Sequence, residues 1–145
     1  MLGLGSLISA PTYLGASYAD GFSIDLDGTN DYLAGSSFNK EALKSGMSVG
    51  CWIKMDAVSG THFITGCWGD GAQTWRFIAT SDGYVGFGVR LADGGASGAG
   101  TLKQKISGAD PGSLVEDAWH HVVGTFTKNG NVALYIDGAH IGNVA

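Results

Sequence analysis

Charge is scarce in this chain. Asp, Glu, Lys and Arg together make up only 14% of its 145 residues, where globular domains usually carry about 25%. Lys and Arg number eight, they are not clustered, and the formal net charge is −5. A nucleic-acid binder needs a basic stripe to neutralise phosphates, and an anionic membrane surface needs one as well. Both classes are therefore excluded as partners. No apolar run approaches the 18 or so residues that span a bilayer, so membrane insertion is not expected. Proline occurs twice, too rarely for collagen or a low-complexity linker.

Cysteine is also sparse, with only Cys51 and Cys67. Two cysteines suit packed thiols or a single disulfide. The sixteen-residue interval matches no paired zinc-ligand spacing, and His62 alone does not complete a site. Glutamate occurs only at Glu41 and Glu116. A glycosidase needs two carboxylates facing each other across a cleft, and no such run is present. Six of the eleven aspartates precede glycine, which assigns them to turns. His120-His121 lies in a strand pattern, so the two rings point to opposite faces and cannot share a metal. There is no Gly-x-Ser-x-Gly elbow and no phosphate loop. The chain is expected to have no enzymatic activity.

What is abundant is glycine, at 25 residues, more than double the usual share of about 7%. With 10% aromatics, this composition suits many short strands and tight turns. Asp-Gly pairs stand at Asp20, Asp27, Asp70, Asp82, Asp93 and Asp137, and Asn-Gly at Asn129; all favour positive φ and hairpins. Between them the pattern predicts strands over Phe22–Leu26, Met47–Met55, His62–Gly66, Trp75–Ala79, Tyr84–Leu91, Thr101–Ile106, Ala118–Thr127 and Asn131–Ile136. A short helix is expected across Asn39–Lys44. Residues 94–100, all Gly, Ala or Ser, read as a mobile loop. The chain divides into an arm, residues 1–20, and one domain, residues 21–145.

The arm lacks the basic start of a signal peptide. Its Leu2, Leu4, Leu7, Ile8, Tyr13 and Leu14, with no charge among residues 1–18, are expected to gain order by burial in an assembly.

Three blocks resemble the laminin-G-like pattern, in order and spacing. The first is Phe22-Ser23-Ile24-Asp25-Leu26-Asp27-Gly28-Thr29-Asn30-Asp31-Tyr32-Leu33. The second is Met47-Ser48-Val49-Gly50-Cys51-Trp52-Ile53-Lys54. The third joins Trp119-His120-His121-Val122-Val123-Gly124-Thr125-Phe126 to Val132-Ala133-Leu134-Tyr135-Ile136-Asp137-Gly138. The resemblance covers about residues 22–141 and implies an all-β, concanavalin-A-like antiparallel β-sandwich. The family normally continues beyond Asp137-Gly138 with strands that return beside the first one. The sandwich is therefore expected to miss its last strands: either the sequence is a fragment, or a neighbouring chain finishes the sheet at the Phe22–Leu26 edge. Trp52 and Trp119 are expected in the core, with Tyr32 and Tyr135 packed beside them.

Three functions follow. One is a structural component of a particle surface, such as a phage virion decoration, capsid or tail protein, held by contacts with other protein subunits. The start of the chain also resembles short phage structural proteins of this family. The second is a carbohydrate-binding or adhesion module on an extracellular surface. Its glycan would sit on loop residues Trp68, Asp70, Trp75, Arg90 and Asp93, through indole faces and aspartate oxygens. No cofactor is required; calcium is the ion such aspartates would suit. The third, a glycosidase, lacks its carboxylate pair.

Overall fold

A computed structural model describes residues 23–35, 45–67, 74–90, 101–108, 113–127 and 130–145. Residues 1–36 and 37–145 form separate compact units. In the first unit, residues 23–26 belong to no strand, which corrects the strand expected over Phe22–Leu26. Around Gly28 (φ 71°) the chain turns. The Asp27 carboxylate accepts the N–H groups of Thr29 and Asn30, at 2.8 and 3.3 Å, while Asp31 accepts the N–H of Asp27. Those backbone donors hold the Asp27 carboxyl below its ordinary pKa. The expected assembly residues Leu2, Leu4, Leu7, Ile8, Tyr13 and Leu14, and the helix over Asn39–Lys44, lie outside the described residues.

The second unit is two four-stranded antiparallel sheets: β1 (Gly46–Lys54), β2 (His62–Cys67), β3 (Trp75–Ala79), β4 (Val85–Arg90), β5 (Leu102–Ile106), β6 (Trp119–Thr127), β7 (Val132–Ile136) and β8 (Ala139–Val144). Sheet A has the order β1-β6-β7-β8, and sheet B has β2-β3-β4-β5. Seven of the eight match predicted strands to within two residues at each end. The eighth, β8, was not predicted. It returns from the turn at Asp137 and Gly138, whose φ values of 50° and 82° are both positive. A two-residue hairpin of type I′ requires that pair of left-handed residues, and Asp-Gly supplies it.

Period-two alternation decides which face is core. On β4 and β7, Val85, Phe87, Val89, Val132, Leu134 and Ile136 turn inward and are buried, joined by Phe77 from β3 and Val122 from β6. Each such side chain contributes about 1.5–3 kcal/mol on burial. Phe77 and Phe87 meet edge to face at 5.4 Å. Cys51 on β1 and Cys67 on β2 are both thiols, one in each sheet. Burial pushes the Cys51 thiol up to about 11.

The strand directions gather several connections at one end of the sandwich. Lys54 lies opposite Trp119, and Val122 opposite Ile136. Asp117 N–H donates to the Met55 carbonyl, Val58 N–H to Glu116 Oε1, and Leu114 N–H to the Gly83 carbonyl. Asp56, Asp82, Glu116, Asp117 and Asp137 all belong to that end.

Candidate recognition face

Outward-facing residues of sheet A form a grid. Ser48, Gly50, Trp52 and Lys54 on β1 stand opposite Thr125, Val123, His121 and Trp119 on β6. Val123 and Thr125 stand in turn opposite Tyr135 and Ala133 on β7, and Tyr135 stands opposite His140 on β8. The expected core positions of Trp52 and Trp119 are corrected here, since the two side chains are 60% and 53% exposed. Both share the alternation class of polar neighbours, whereas Met47, Val49, Cys51 and Ile53 take the inner class on β1. Tyr135, expected beside buried tryptophans, instead meets His140 on the outside, with ring centroids 5.0 Å apart and planes at 41°. Trp52 and His121 meet at 5.0 Å and 30°. Trp119 stands diagonal to Trp52 in the register, a spacing that long side chains can span. Tyr32 belongs to the first unit.

The neighbouring His120 points the other way, as expected from its position one residue along the strand. Its Nδ1 lies 2.7 Å from Asp137 Oδ2, and Val115 N–H donates to its Nε2 at 2.9 Å. Nε2 accepts, so Nδ1 carries the hydrogen and donates it to the carboxylate. Asp137 Oδ1 also accepts the N–H of His121 at 2.8 Å. Partial burial favours the protonated carboxyl, but the hydrogen bonds and the nearby imidazoles outweigh it and lower the Asp137 pKa. Both nitrogens of His120 are therefore engaged in fastening the 113–118 segment to the β7–β8 turn. The arrangement resembles a His–Asp dyad, but it is a brace.

The residues singled out from sequence are placed differently. Trp75 begins β3 and is only 8% exposed, with its side chain in the core cluster. Arg90 ends β4, and its N–H donates to the Thr74 carbonyl at 2.8 Å. Val89 is core, so Arg90 faces the opposite side of sheet B from Trp75. The two share one end of the sheet without sharing a face. Trp68, Asp70 and Asp93 lie outside the described residues. Cys67 and Thr74, which flank residues 68–73, are tied by an N–H to carbonyl bond of 2.9 Å. Among the described residues, no three His, Cys, Asp or Glu side chains gather as a metal ion would need. No helix among them is long and apolar enough to cross a membrane.

Sequence reasoning missed the aromatic face because it weighed the tryptophans by size. Parity would have found it: in Ser48-Val49-Gly50-Cys51-Trp52-Ile53-Lys54 the indole alternates with Ser, Gly and Lys.

With two antiparallel sheets, an inter-sheet core and short turns, the unit is a β-sandwich of the lectin type. A family model for laminin-G-like domains, described as the concanavalin A-like lectin/glucanases superfamily, matches residues 27–145. The chain belongs to that family. No curated protein matches it significantly.

Proposed function

We propose that this chain is a non-catalytic carbohydrate-recognition or adhesion module that binds its glycan across the outer face of sheet A. The observation carrying the proposal is the exposure of Trp52 and Trp119 beside His121. A sugar ring offers a face of C–H groups that stacks on an indole, and a rim of hydroxyls that needs polar partners. Here the rings stand among Ser48, Thr125, His121, His140 and Lys54, while Val123 and Ala133 are the aliphatic members of the grid among the described residues. Protein-docking patches are depleted of charged residues at their centres, whereas Lys54 stands in this grid opposite Trp119. The family's description covers lectins and glucanases alike, so the non-catalytic part of the proposal rests on the carboxylates. The carboxylate of Glu116 is occupied by Val58 N–H and that of Asp137 by His120, which supports the same reading.

The test is a glycan array followed by calorimetry on whatever binds. Trp52→Ala and Trp119→Ala should each weaken binding at least tenfold with the circular dichroism spectrum unchanged. Binding lost in Arg90→Ala or Asp70→Ala but kept in Trp52→Ala would move the site to the loops. An array with no bound glycan would remove the function.

A second reading is a structural subunit on a particle such as a virion, facing the exterior. Among the described residues β6 is the only strand paired with β1, and such subunits are held by inter-chain contacts. Deletion of residues 2–18 should then release the protein from its particle with the sandwich still folded. Retention of the truncated chain would discard that role for the arm.

A further inference from the structure

Histidine is the side chain whose charge changes between pH 5 and 8. The ring of His120 is only 12% exposed, and each of its nitrogens has a partner. Nδ1 donates to Asp137 Oδ2, and Nε2 accepts the N–H of Val115. A proton arriving on Nε2 turns that acceptor into a donor, so two N–H groups would face each other across 2.9 Å. The two bonds therefore respond in opposite directions. The one to Asp137 becomes charge-assisted and strengthens, whereas the one from Val115 is abolished.

The surrounding groups decide which side yields. An aspartate is ionised throughout that pH range, and Asp137 on the β7–β8 turn the more firmly, its pKa being lowered in the fold. On the 113–118 segment, Glu116 Oε1 takes the Val58 N–H, and Asp117 stands 3.7 Å from Lys54 of β1. The β1 residue opposite His120 is the apolar Ile53. His121 and His140 turn their rings to the outer face, against Trp52 and Tyr135. Asp56 and Asp82 belong to the same end but to other loops. Among the described residues Asp137 is the carboxylate in contact with the ring, and it keeps the ring.

What Val115 loses is the anchor of a tight turn. Ala118 N–H donates to the Val115 carbonyl at 3.3 Å, and Asp117 between them takes a φ of 60°. A left-handed residue other than glycine costs free energy and persists where its neighbours impose it. This turn leads directly into Trp119, the first residue of β6. Leu114 N–H on the Gly83 carbonyl and Asp117 N–H on the Met55 carbonyl hold the segment at other points, so the change stays local. We infer that His120 is a pH latch: on protonation it keeps Asp137, releases Val115 and loosens the turn that sets Trp119. Mild acidity then alters the aromatic face without unfolding the sandwich. Only the effect on a bound glycan rests on the proposed function; the latch itself does not.

Amide hydrogen exchange by NMR on the full chain reads the two sides separately, each rate being referred to an unstructured peptide at the same pH. From pH 8 to pH 5 the Val115 amide should lose protection about tenfold, in step with the imidazolium signal of the His120 ring nitrogens. The His121 amide, bonded to Asp137 Oδ1, should keep its protection. His120→Gln offers an amide oxygen to Val115 but does not titrate, so its Val115 protection should not vary with pH. Val115 protection that holds while the ring protonates would overturn the latch. So would joint loss at Val115 and His121, a ring still neutral at pH 5, or a pH-dependent Val115 in His120→Gln. Should His120→Gln fail to fold, the contrast between Val115 and His121 in the wild type decides by itself. No glycan enters these measurements, so an array without a bound glycan leaves them standing.

Discussion

The ring of Phe87 in sheet B lies directly against the backbone of Gly124 in sheet A. A Cβ at position 124 would stand 2.2 Å from Phe87 Cγ, inside any permitted contact. This is the closest approach of the two sheets that the glycines record, and it falls between two central strands. Gly124→Ala should therefore force the ring or the sheets apart and cost about 1–3 kcal/mol or more, as overpacked cores do. Urea denaturation measures it. Phe87→Leu in the same chain should recover part of that loss, because the shorter side chain frees the space. A Gly124→Ala variant as stable as wild type would show that the contact is looser than described.

The brace at the β7–β8 turn makes a pH prediction with a definite sign. Asp137 has a lowered pKa in the fold, so its charged form is favoured there. Its contribution is present above the unfolded aspartate value of about 3.9 and fades as pH falls through the lower, folded value. The carboxylate is about half exposed, so solvent screening keeps the effect modest. Asp137→Asn keeps a side chain that tolerates the left-handed turn but abolishes the titration. The variant should lose less stability than wild type between pH 5 and 3. Parallel curves for the two proteins would assign acid sensitivity elsewhere.

Burial around Cys51 keeps its thiol protonated, with a pKa near 11, so at pH 8 only about one molecule in a thousand holds the reactive thiolate. In a Cys67→Ala background, a thiol reagent should label Cys51 slowly in the native protein and at once in urea. Rapid native labelling would mean that β1 opens readily or packs less closely than it does here.

Most of the sandwich was legible because its strands obey two local rules. Asp-Gly and Asn-Gly punctuate the chain, and alternation such as Val132-Ala133-Leu134-Tyr135-Ile136 declares a half-buried strand before any partner is known. What was not legible depended on partners. Trp75 reads as a loop aromatic beside Thr74, but its parity with Phe77 sends it into the core. Trp52 reads as core by size, yet its parity with Ser48 and Gly50 sends it out. β8 escaped notice because Ala139-His140-Ile141-Gly142-Asn143-Val144 carries little β-branched character. It becomes a strand because the Asp137-Gly138 turn returns it to β7. The brace of His120, Asp137 and Val115 joins residues 22 positions apart and could not be read from spacing.

The clustering of Asp56, Asp82, Glu116, Asp117 and Asp137 at one end gives the sandwich a directional field that its net charge conceals. Lys54 pairs with Asp117, at 3.7 Å. In a chain with so few charges, such an asymmetry acts as a rudder. Near an anionic surface, whether a phospholipid headgroup layer or a sulfated polysaccharide, the acidic end turns away and the opposite end leads. Salt shortens the range of that torque to about 10 Å at 0.1 M. The domain should thus approach negatively charged matter in one preferred attitude at low ionic strength and in none at high. Neutralising that end with Asp56→Lys and Asp82→Lys should erase this orientational part of the salt dependence of its approach rate to heparin-coated surfaces.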